Sequence, residues 1–266
     1  MNSAAPRRVS LIVNPSAGGG RAGRRLPEVQ RALASHGLEH RVQRTRSLDH
    51  ARELALAAAA GGEVAVALGG DGLVGAVAGA LRGSHGVLGV LPGGRGNDFA
   101  RVLGIPQDVA AAVGVVASGE VRELDLGEVG GRTFIGIASC GFDSEANRVA
   151  NQTRVVRGNL VYAYGALRAL AGWKPATFTV TLDGGRVRTL TGYTVAAASS
   201  KAYGGGMYMA PKASLQDGML DVVLVAHAPK MRFLRLLPTV FEGRHIDQPN
   251  VSVERSREVH IAADRR

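Results

Sequence analysis

Three glycine-rich loops constrain this chain more than any other feature, because each lies between a short β-branched run and a helical stretch. Asn14-Pro15-Ser16-Ala17-Gly18-Gly19-Gly20-Arg21 follows Val9–Val13, and Gly69-Gly70-Asp71-Gly72 follows Val64–Leu68. Pro92-Gly93-Gly94-Arg95-Gly96-Asn97-Asp98 follows Val87–Leu91. Helical patterning covers residues 21–36, 48–60, 73–81, 97–103 and 109–117, with a further strand at 39–43. Strands alternating with helices imply a parallel sheet, whose carboxyl edge gathers the loops and is where ligands bind. Glycine lets backbone N–H groups approach phosphate oxygens closely, and a helix N-terminus adds partial positive charge. Three such loops on one edge point to a polyphosphate.

After residue 120 the pattern changes. Residues 121–126, 132–139, 177–182, 187–198, 220–225 and 251–261 read as strands, with helices only around 159–171 and 230–241. Turns such as Asp183-Gly184-Gly185 suit antiparallel pairing. The reading is an α/β nucleotide-binding domain with a parallel sheet over residues 1–126, followed by an antiparallel, β-rich domain over 127–266. No repeat, long linker or low-complexity tail interrupts it.

Composition narrows the partners. The net charge of +10 is almost all arginine, the lysines being Lys174, Lys201, Lys212 and Lys230. It favours nucleotide phosphates or an acidic membrane surface. Aromatics are 5% of residues and do not interleave with basic runs, so nucleic acid is not expected. No apolar run reaches the ~18 residues of a membrane span; Leu54–Leu68 is cut by Gly61, Gly62 and Glu63. Arg7 and Arg8 ahead of Val9–Val13 imitate a signal peptide, but the run falls short of the roughly 7–15 apolar residues required. The single cysteine, Cys140, excludes an intramolecular disulfide and suits a reducing compartment, hence a cytoplasmic placement. Its small-residue surroundings predict packing, not nucleophilic chemistry. His36 and His40 lack a third ligand at metal spacing. Leu160, Tyr164, Leu167 and Ala171 share helical spacing and read as a core stripe. Trp173 beside Lys174 suggests a membrane-interface contact.

Two generic motifs compete for the first loop. Gly18-x-Gly20-x-x-Gly23 formally matches a dinucleotide fingerprint, and Arg44, Thr45 and Arg46 stand where an NADP 2′-phosphate would be met. An NADP-dependent oxidoreductase is therefore the rival enzyme class. Gly18-x₄-Gly23-Arg24-Arg25 approaches a P-loop without its lysine or hydroxyl, and is rejected. The second loop carries more information. An aspartate at the end of a buried strand is costly unless a cation or hydrogen bonds offset it, although an Asp-Gly turn capping a helix is the plain alternative. Asp98 holds an equivalent place after the next strand, and Asp125 is a third candidate acid. Carboxylates beside phosphate loops imply Mg²⁺ or a cationic network, with Arg21, Arg24, Arg95 and Arg101 close in sequence to supply it.

Asn14-Pro15-x-x-Gly18, Gly69-Gly70-Asp71-Gly72 and Gly94-x-Gly96-Asn97-Asp98-Phe99-Ala100-Arg101 together resemble the diacylglycerol kinase catalytic family, related to sphingosine kinases and NAD kinases. Gly141-Phe142-Asp143, Tyr203-Gly204-Gly205-Gly206 and Asp217-Gly218-Met219-Leu220-Asp221 extend the likeness, from about Val9 to the last residue. The resemblance implies a lipid kinase, soluble in itself, that uses ATP and Mg²⁺ on a lipid hydroxyl, diacylglycerol first. Such an enzyme acts peripherally at the inner face of the membrane; the sequence leaves room for a homodimer. By the same resemblance ATP is contacted by Asn14, Thr45, Gly69, Gly70, Asp71, Gly72, Leu73, Val74, Gly75, Gly94, Arg95, Gly96 and Asn97. Asp71, Asp98 and Asp125 are the catalytic network. A structural Mg²⁺ is expected at Ser214, Asp217 and Met219. The family fold puts the active site in the cleft between a nucleotide domain and a lipid domain.

Three departures qualify what the family implies. Leu73 replaces a threonine hydroxyl, and Arg95 replaces the threonine of the third motif. The family's general-base carboxylate belongs to a late Asp-Gly-Glu or Asp-Gly-Asp segment, and Val259-His260-Ile261-Ala262-Ala263-Asp264 resembles the strand before it. The expectation is thus of a partial chain that binds nucleotide and turns over poorly. A nucleotide-binding regulatory protein is the non-enzymatic rival.

Overall fold

The computed structural model describes residues 8–152 and 160–264, divided into two compact units, through Ile135 and from Gly136. In the first unit the chain runs β1 (Val9–Val13), α1 (Ala17–Ser35), β2 (His40–Arg44), α2 (Leu48–Ala60), β3 (Val64–Gly69), α3 (Asp71–Leu81), β4 (Leu88–Pro92), α4 (Asp98–Val102) and α5 (Val109–Ser118). The hairpin β5 (Gly127–Val129) and β6 (Arg132–Phe134) closes it. The four principal strands form a parallel sheet in the order β2-β1-β3-β4. Alternate residues Val9, Leu11, Val13, Val64, Val66 and Leu68 enter one core with Leu26, Val29 and Leu33 of α1 and Val109 and Val113 of α5. Helices α2 and α3 pack on each other, against the strands. Strands buried on both faces read as continuous apolar runs, as β1 and β3 do.

The expected strand over 121–126 is absent: the segment has no ladder partner among the described residues, and pairing begins only at Gly127. Its interleaving of apolar and charged residues is not enough without a neighbour strand to complete a ladder. The unit ends after Ile135, later than the expected Leu126, because the hairpin lies on α3: a side chain at Gly79 would meet Thr133, and one at Gly75 would meet Ile135.

The second unit contains β7 (Ile137–Gly141), α6 (Phe142–Gln152), α7 (Leu160–Gly172), β8 (Ala176–Leu182), β9 (Arg186–Ala198), β10 (Leu220–Ala226), α8 (Lys230–Val240), β11 (Val251–Ser256) and β12 (Val259–Ala263). All its ladders are antiparallel, in the order β11-β10-β9-β8-β12, with β7 also on β9. Strand β9 is long enough to pair with β8 along 186–192 and with β7 along 194–198. It changes partner near Gly192, where a Cβ would sit 2.3 Å from the Val225 carbonyl oxygen. One core holds Phe142, Tyr193 and Phe233, the last two stacked with ring centroids 3.9 Å apart. A second holds Phe178, Val180, Leu182, Val195 and Val222.

Four expectations change here. The continuous strand over 132–139 is broken between β6 and β7, and 251–261 is two strands, β11 and β12. Trp173 packs edge-on against Phe142, at 5.7 Å between centroids, so it is a core ring. Among the described side chains of α7, Ala169 and Leu170 are buried with Gly165, while Leu167 is 56% exposed and Ala171 is also exposed. Asn159 and the side chains of Leu160 and Tyr164 lie outside the described residues.

Candidate active site

The strand order 2-1-3-4 reverses direction between β1 and β3, and a parallel sheet opens a crevice at such a switch point. The first two glycine loops leave the sheet there, and the third leaves β4 beside them. Their contact is backbone against backbone. The Gly93 amide donates to the Gly69 carbonyl at 2.8 Å, and the Asn14 amide to that of Leu68 at 3.2 Å. A Cβ on Gly94 would lie 2.4 Å from the Gly70 Cα, and one on Gly18 2.6 Å from the Gly93 carbonyl oxygen. Gly18, Gly19 and Gly20 have φ of 61°, 69° and 84°, left-handed values that side-chain-bearing residues seldom take. Glycine is thus required twice over at position 18, by conformation and by space.

Side chains tie the loops further. Arg21 donates to the Gly94 carbonyl at 3.1 Å, and Arg25 to that of Pro92 at 2.8 Å. Asn97, buried and left-handed at φ 52°, accepts from the Gly94 amide at 2.7 Å and donates to Gln107 at 3.1 Å. Asp71 opens α3, and its Oδ1 accepts the Phe99 amide at 3.0 Å, one residue beyond Asp98. The second loop therefore caps the helix that the third begins. Among the described residues, no hydrogen bond reaches the other oxygen of Asp71. Asp98 opens α4 and is buried. Arg95 is exposed and ion-pairs with no described residue, so its guanidinium faces solvent from the loop.

Not every expected residue joins this cluster. Thr45, after β2, spends its hydroxyl on the Val13 carbonyl at 3.2 Å. Leu73 and Val74 are buried, their amides donate to the Gly70 carbonyl at 3.0 and 3.2 Å, and Leu73 packs over Gly69, where a Cβ would lie 2.7 Å from its Cδ2. Gly72 has open space beside it, whereas Gly75 faces Ile135. Gly96 carries the carbonyl that Arg101 reaches at 3.4 Å. Asp125 is half-buried in the irregular segment after α5.

The second unit binds its own polar groups. Asp217 Oδ1 accepts the Met219 amide at 3.1 Å, Arg255 pairs with its other oxygen, and Arg255 also approaches buried Asp221 at 3.4 Å. Burial raises the Asp221 carboxyl, partly countered by Arg255. Ser214 Oγ accepts from the Gln216 amide at 3.2 Å in the same turn, so Ser214, Asp217 and Met219, expected to hold a structural Mg²⁺, lie together beside Arg255. Among the described residues no group of three or more His, Cys, Asp or Glu could hold a metal. Asp143, quoted in a motif but given no role, accepts from Thr194 at 2.8 Å and from Tyr203 at 3.0 Å. Burial, then the Asp143 charge, holds the Tyr203 phenol well above its ordinary value. The same two causes raise the Cys140 thiol, keeping it protonated and unreactive.

The first unit has the fold and loop set of a phosphate-binding α/β protein. Residues 8–129 match the diacylglycerol kinase catalytic domain, and 136–266 the YegS C-terminal NAD kinase beta sandwich-like domain. A diacylglycerol kinase of Mycobacterium tuberculosis is 33% identical over 96% of this chain and 84% of its own. One of Bacillus subtilis is 30% identical over 96% and 86%. The chain belongs to the diacylglycerol kinase family. A diacylglycerol kinase structure from Bacillus anthracis superposes with a TM-score of 0.74, at 21% identity, over 99% of this chain and 88% of that one. An NAD kinase from Archaeoglobus fulgidus, solved in complex with ATP, gives 0.51 at 15% identity over 96% and 80%. Among the described residues no helix is long and apolar enough to cross a membrane.

Proposed function

We propose that this chain is an ATP- and Mg²⁺-dependent lipid kinase that phosphorylates a lipid hydroxyl, with diacylglycerol as acceptor and phosphatidate as product. The observation that carries the reading is the packing of Gly18, Gly70, Gly93 and Gly94 at the switch point, a surface of bare backbone at the ends of three strands. The segments 69–75 and 94–97 contact ATP, its phosphates at the N-terminus of α3, with Asn14 and Thr45 at the margin and Arg95 as the solvent-facing cation. Asp71 lies beside them with one oxygen committed to Phe99 and the other left for a cation. Mg²⁺, when bound, supplies neutralisation of the charge that develops on the transferred group. In the transfer, the lipid oxygen bonds to the γ-phosphorus as the bond between that phosphorus and the β–γ bridging oxygen breaks, leaving ADP and releasing the hydroxyl proton to solvent. The chain's part is positioning and electrostatics, the main resources of phosphoryl transfer. Asp71, Asp98 and Asp125 are assigned to that charge network. We place the reaction in the cytoplasm, at the inner membrane face.

The dinucleotide rival is the reading to be separated from it, since Gly18-x-Gly20-x-x-Gly23 belongs to the same cluster of loops. A thermal-shift titration separates the two: ATP with Mg²⁺ raises the melting temperature, while NADPH leaves it unchanged. Transfer of radiolabelled phosphate from ATP to diacylglycerol micelles then tests the chemistry. Tight NADPH binding without ATP binding would overturn the reading.

A further inference from the structure

Arg25 of α1 and Gln107, just before α5, meet at the third glycine loop. One guanidinium nitrogen of Arg25 donates to the Pro92 carbonyl at 2.8 Å and to the Gln107 carbonyl at 3.1 Å, which ties Gln107 to the last residue of β4. The side chain of Gln107 then reaches Asn97. The Asn97 Nδ2 donates to the Gln107 Oε1 at 3.1 Å and to the Gly94 carbonyl at 3.3 Å, while its Oδ1 accepts the Gly94 amide at 2.7 Å. The polarity of this chain of bonds is fixed from one end. A backbone amide only donates, so Asn97 turns its oxygen to Gly94 and its NH₂ to Gln107, and Gln107 must answer with an oxygen. Asn97 is 4% exposed, so without Gln107 one of its protons would be an unpaired donor in the interior.

The third loop depends on this hold. Asn97 has a left-handed φ of 52°, which asparagine tolerates at some cost, and its side chain makes no cap bond to α4. The side chain is spent on Gly94, the residue packed so closely on Gly70 that a Cβ would come within 2.4 Å of the Gly70 Cα. Gln107 is exposed and lies outside the segments assigned to ATP. We propose that Gln107 is a positioning residue, which through Asn97 holds Gly94 and the third loop in the conformation that receives the nucleotide, while Arg25 holds Gln107. The nucleotide in this statement rests on the kinase reading; the relay of hydrogen bonds does not. A loop that spends part of its time in other conformations binds ATP with an apparent affinity reduced by the competent fraction, so losing the relay should show in the Kd.

The test compares Gln107→Met, which keeps the length of the side chain and removes its acceptor, with Gln107→Glu, which keeps an acceptor in the same place. Each variant of the full chain is titrated with ATP and Mg²⁺, and hydrogen exchange is followed at the Gly94 amide. Gln107→Met should raise the Kd for ATP about five-fold, the effect of one lost hydrogen bond to a buried partner. Exchange at Gly94 should quicken as its acceptor loosens. Gln107→Glu should exchange at the wild-type rate and bind ATP more tightly than Gln107→Met, whereas a residue that only fills space would be replaced better by methionine. Asp108→Ala, at the next position, removes the oxygen that caps α5 at the Ala111 amide, and should lower the melting temperature without moving the Kd. An unchanged Kd in Gln107→Met, a Gln107→Glu variant no better than Gln107→Met, or an equal rise in Asp108→Ala would overturn the assignment. If the wild-type chain binds no ATP, the kinase reading falls by itself and Gly94 exchange decides the relay. Faster exchange in Gln107→Met alone would uphold it, and identical rates in all variants would overturn it.

Discussion

The glycine-loop edge of the first unit and the polar network of the second solve opposite problems. At the loop edge, backbones meet at distances that leave no room for side chains, and charge is left open: Asp71 has one oxygen to spare and Arg95 faces solvent. In the second unit carboxylates are answered from within, Asp217 and Asp221 by Arg255, Glu254 by Arg186 and Arg188, and Asp143 by Thr194 and Tyr203. Open charge beside bare backbone needs a ligand to complete it, whereas a closed network stabilises the fold that contains it. Similar motifs in sequence, an aspartate followed by glycine, therefore serve two ends: Asp71-Gly72 faces a ligand edge, and Asp183-Gly184 and Asp217-Gly218 hold turns.

The sharpest way to break this contrast is Asp71→Asn. It keeps the shape of the turn but removes the charge, and should lower kcat/KM for phosphoryl transfer by about 10²–10³. Thermal unfolding should change little. Near-native turnover would place Asp71 with the structural aspartates of the second unit. Next in size is Gly94→Ala, which forces a methyl against the Gly70 backbone and should cost about 1–3 kcal/mol of stability. Loss of ATP-dependent stabilisation should accompany it; unchanged chemical denaturation would show that the loops can separate. A smaller effect is expected of Arg95→Ala: a several-fold rise in the KM for ATP with an unchanged melting temperature. An unaltered KM would make this arginine a bystander.

The smallest effect tests the closed side. The Ser256 hydroxyl, then the Glu258 and Arg257 amides, hold the Asp183 carboxyl at about 2, against an ordinary 3.8. A carboxyl depressed by folding contributes stability that is complete above its unfolded value and is lost as pH falls through its folded one. The wild-type chain should lose a small increment of stability between about pH 4 and pH 2, through this group, and Asp183→Asn should remove that increment. Asparagine also tolerates the left-handed φ of 48° at this position, so the turn itself should survive. Identical acid profiles for the two proteins would show that Asp183 is not held by its network.

Much of the first unit was legible because its signals are local. Apolar runs in β1 and β3 and the glycine-rich loops after β1, β3 and β4 specify elements within a few residues of themselves. Where pairing depends on distant partners, local reading failed. Residues 121–126 interleave apolar and charged side chains but join no ladder among the described residues, 251–261 hides a reversal, and α6 follows its strand with no announcing loop. The core face of α7 was misplaced for the same reason, since it is chosen by where Phe142 and Trp173 pack.

By itself, then, the sequence determined that three phosphate-type loops follow parallel strands, that the chain changes to antiparallel β structure midway, and which residue types those loops carry. Tertiary structure decided which of those residues act together. Gly70 and Gly94 became neighbours only through adjacent strands, Leu73 turned inward to cover Gly69, and Thr45 turned its hydroxyl to Val13. Arg255 reached Asp217 across 38 positions of chain because β10 and β11 pair in that register. The physical reason is range: turn and helix preferences act over a few residues, but contact and charge pairing depend on distances that only the folded chain sets.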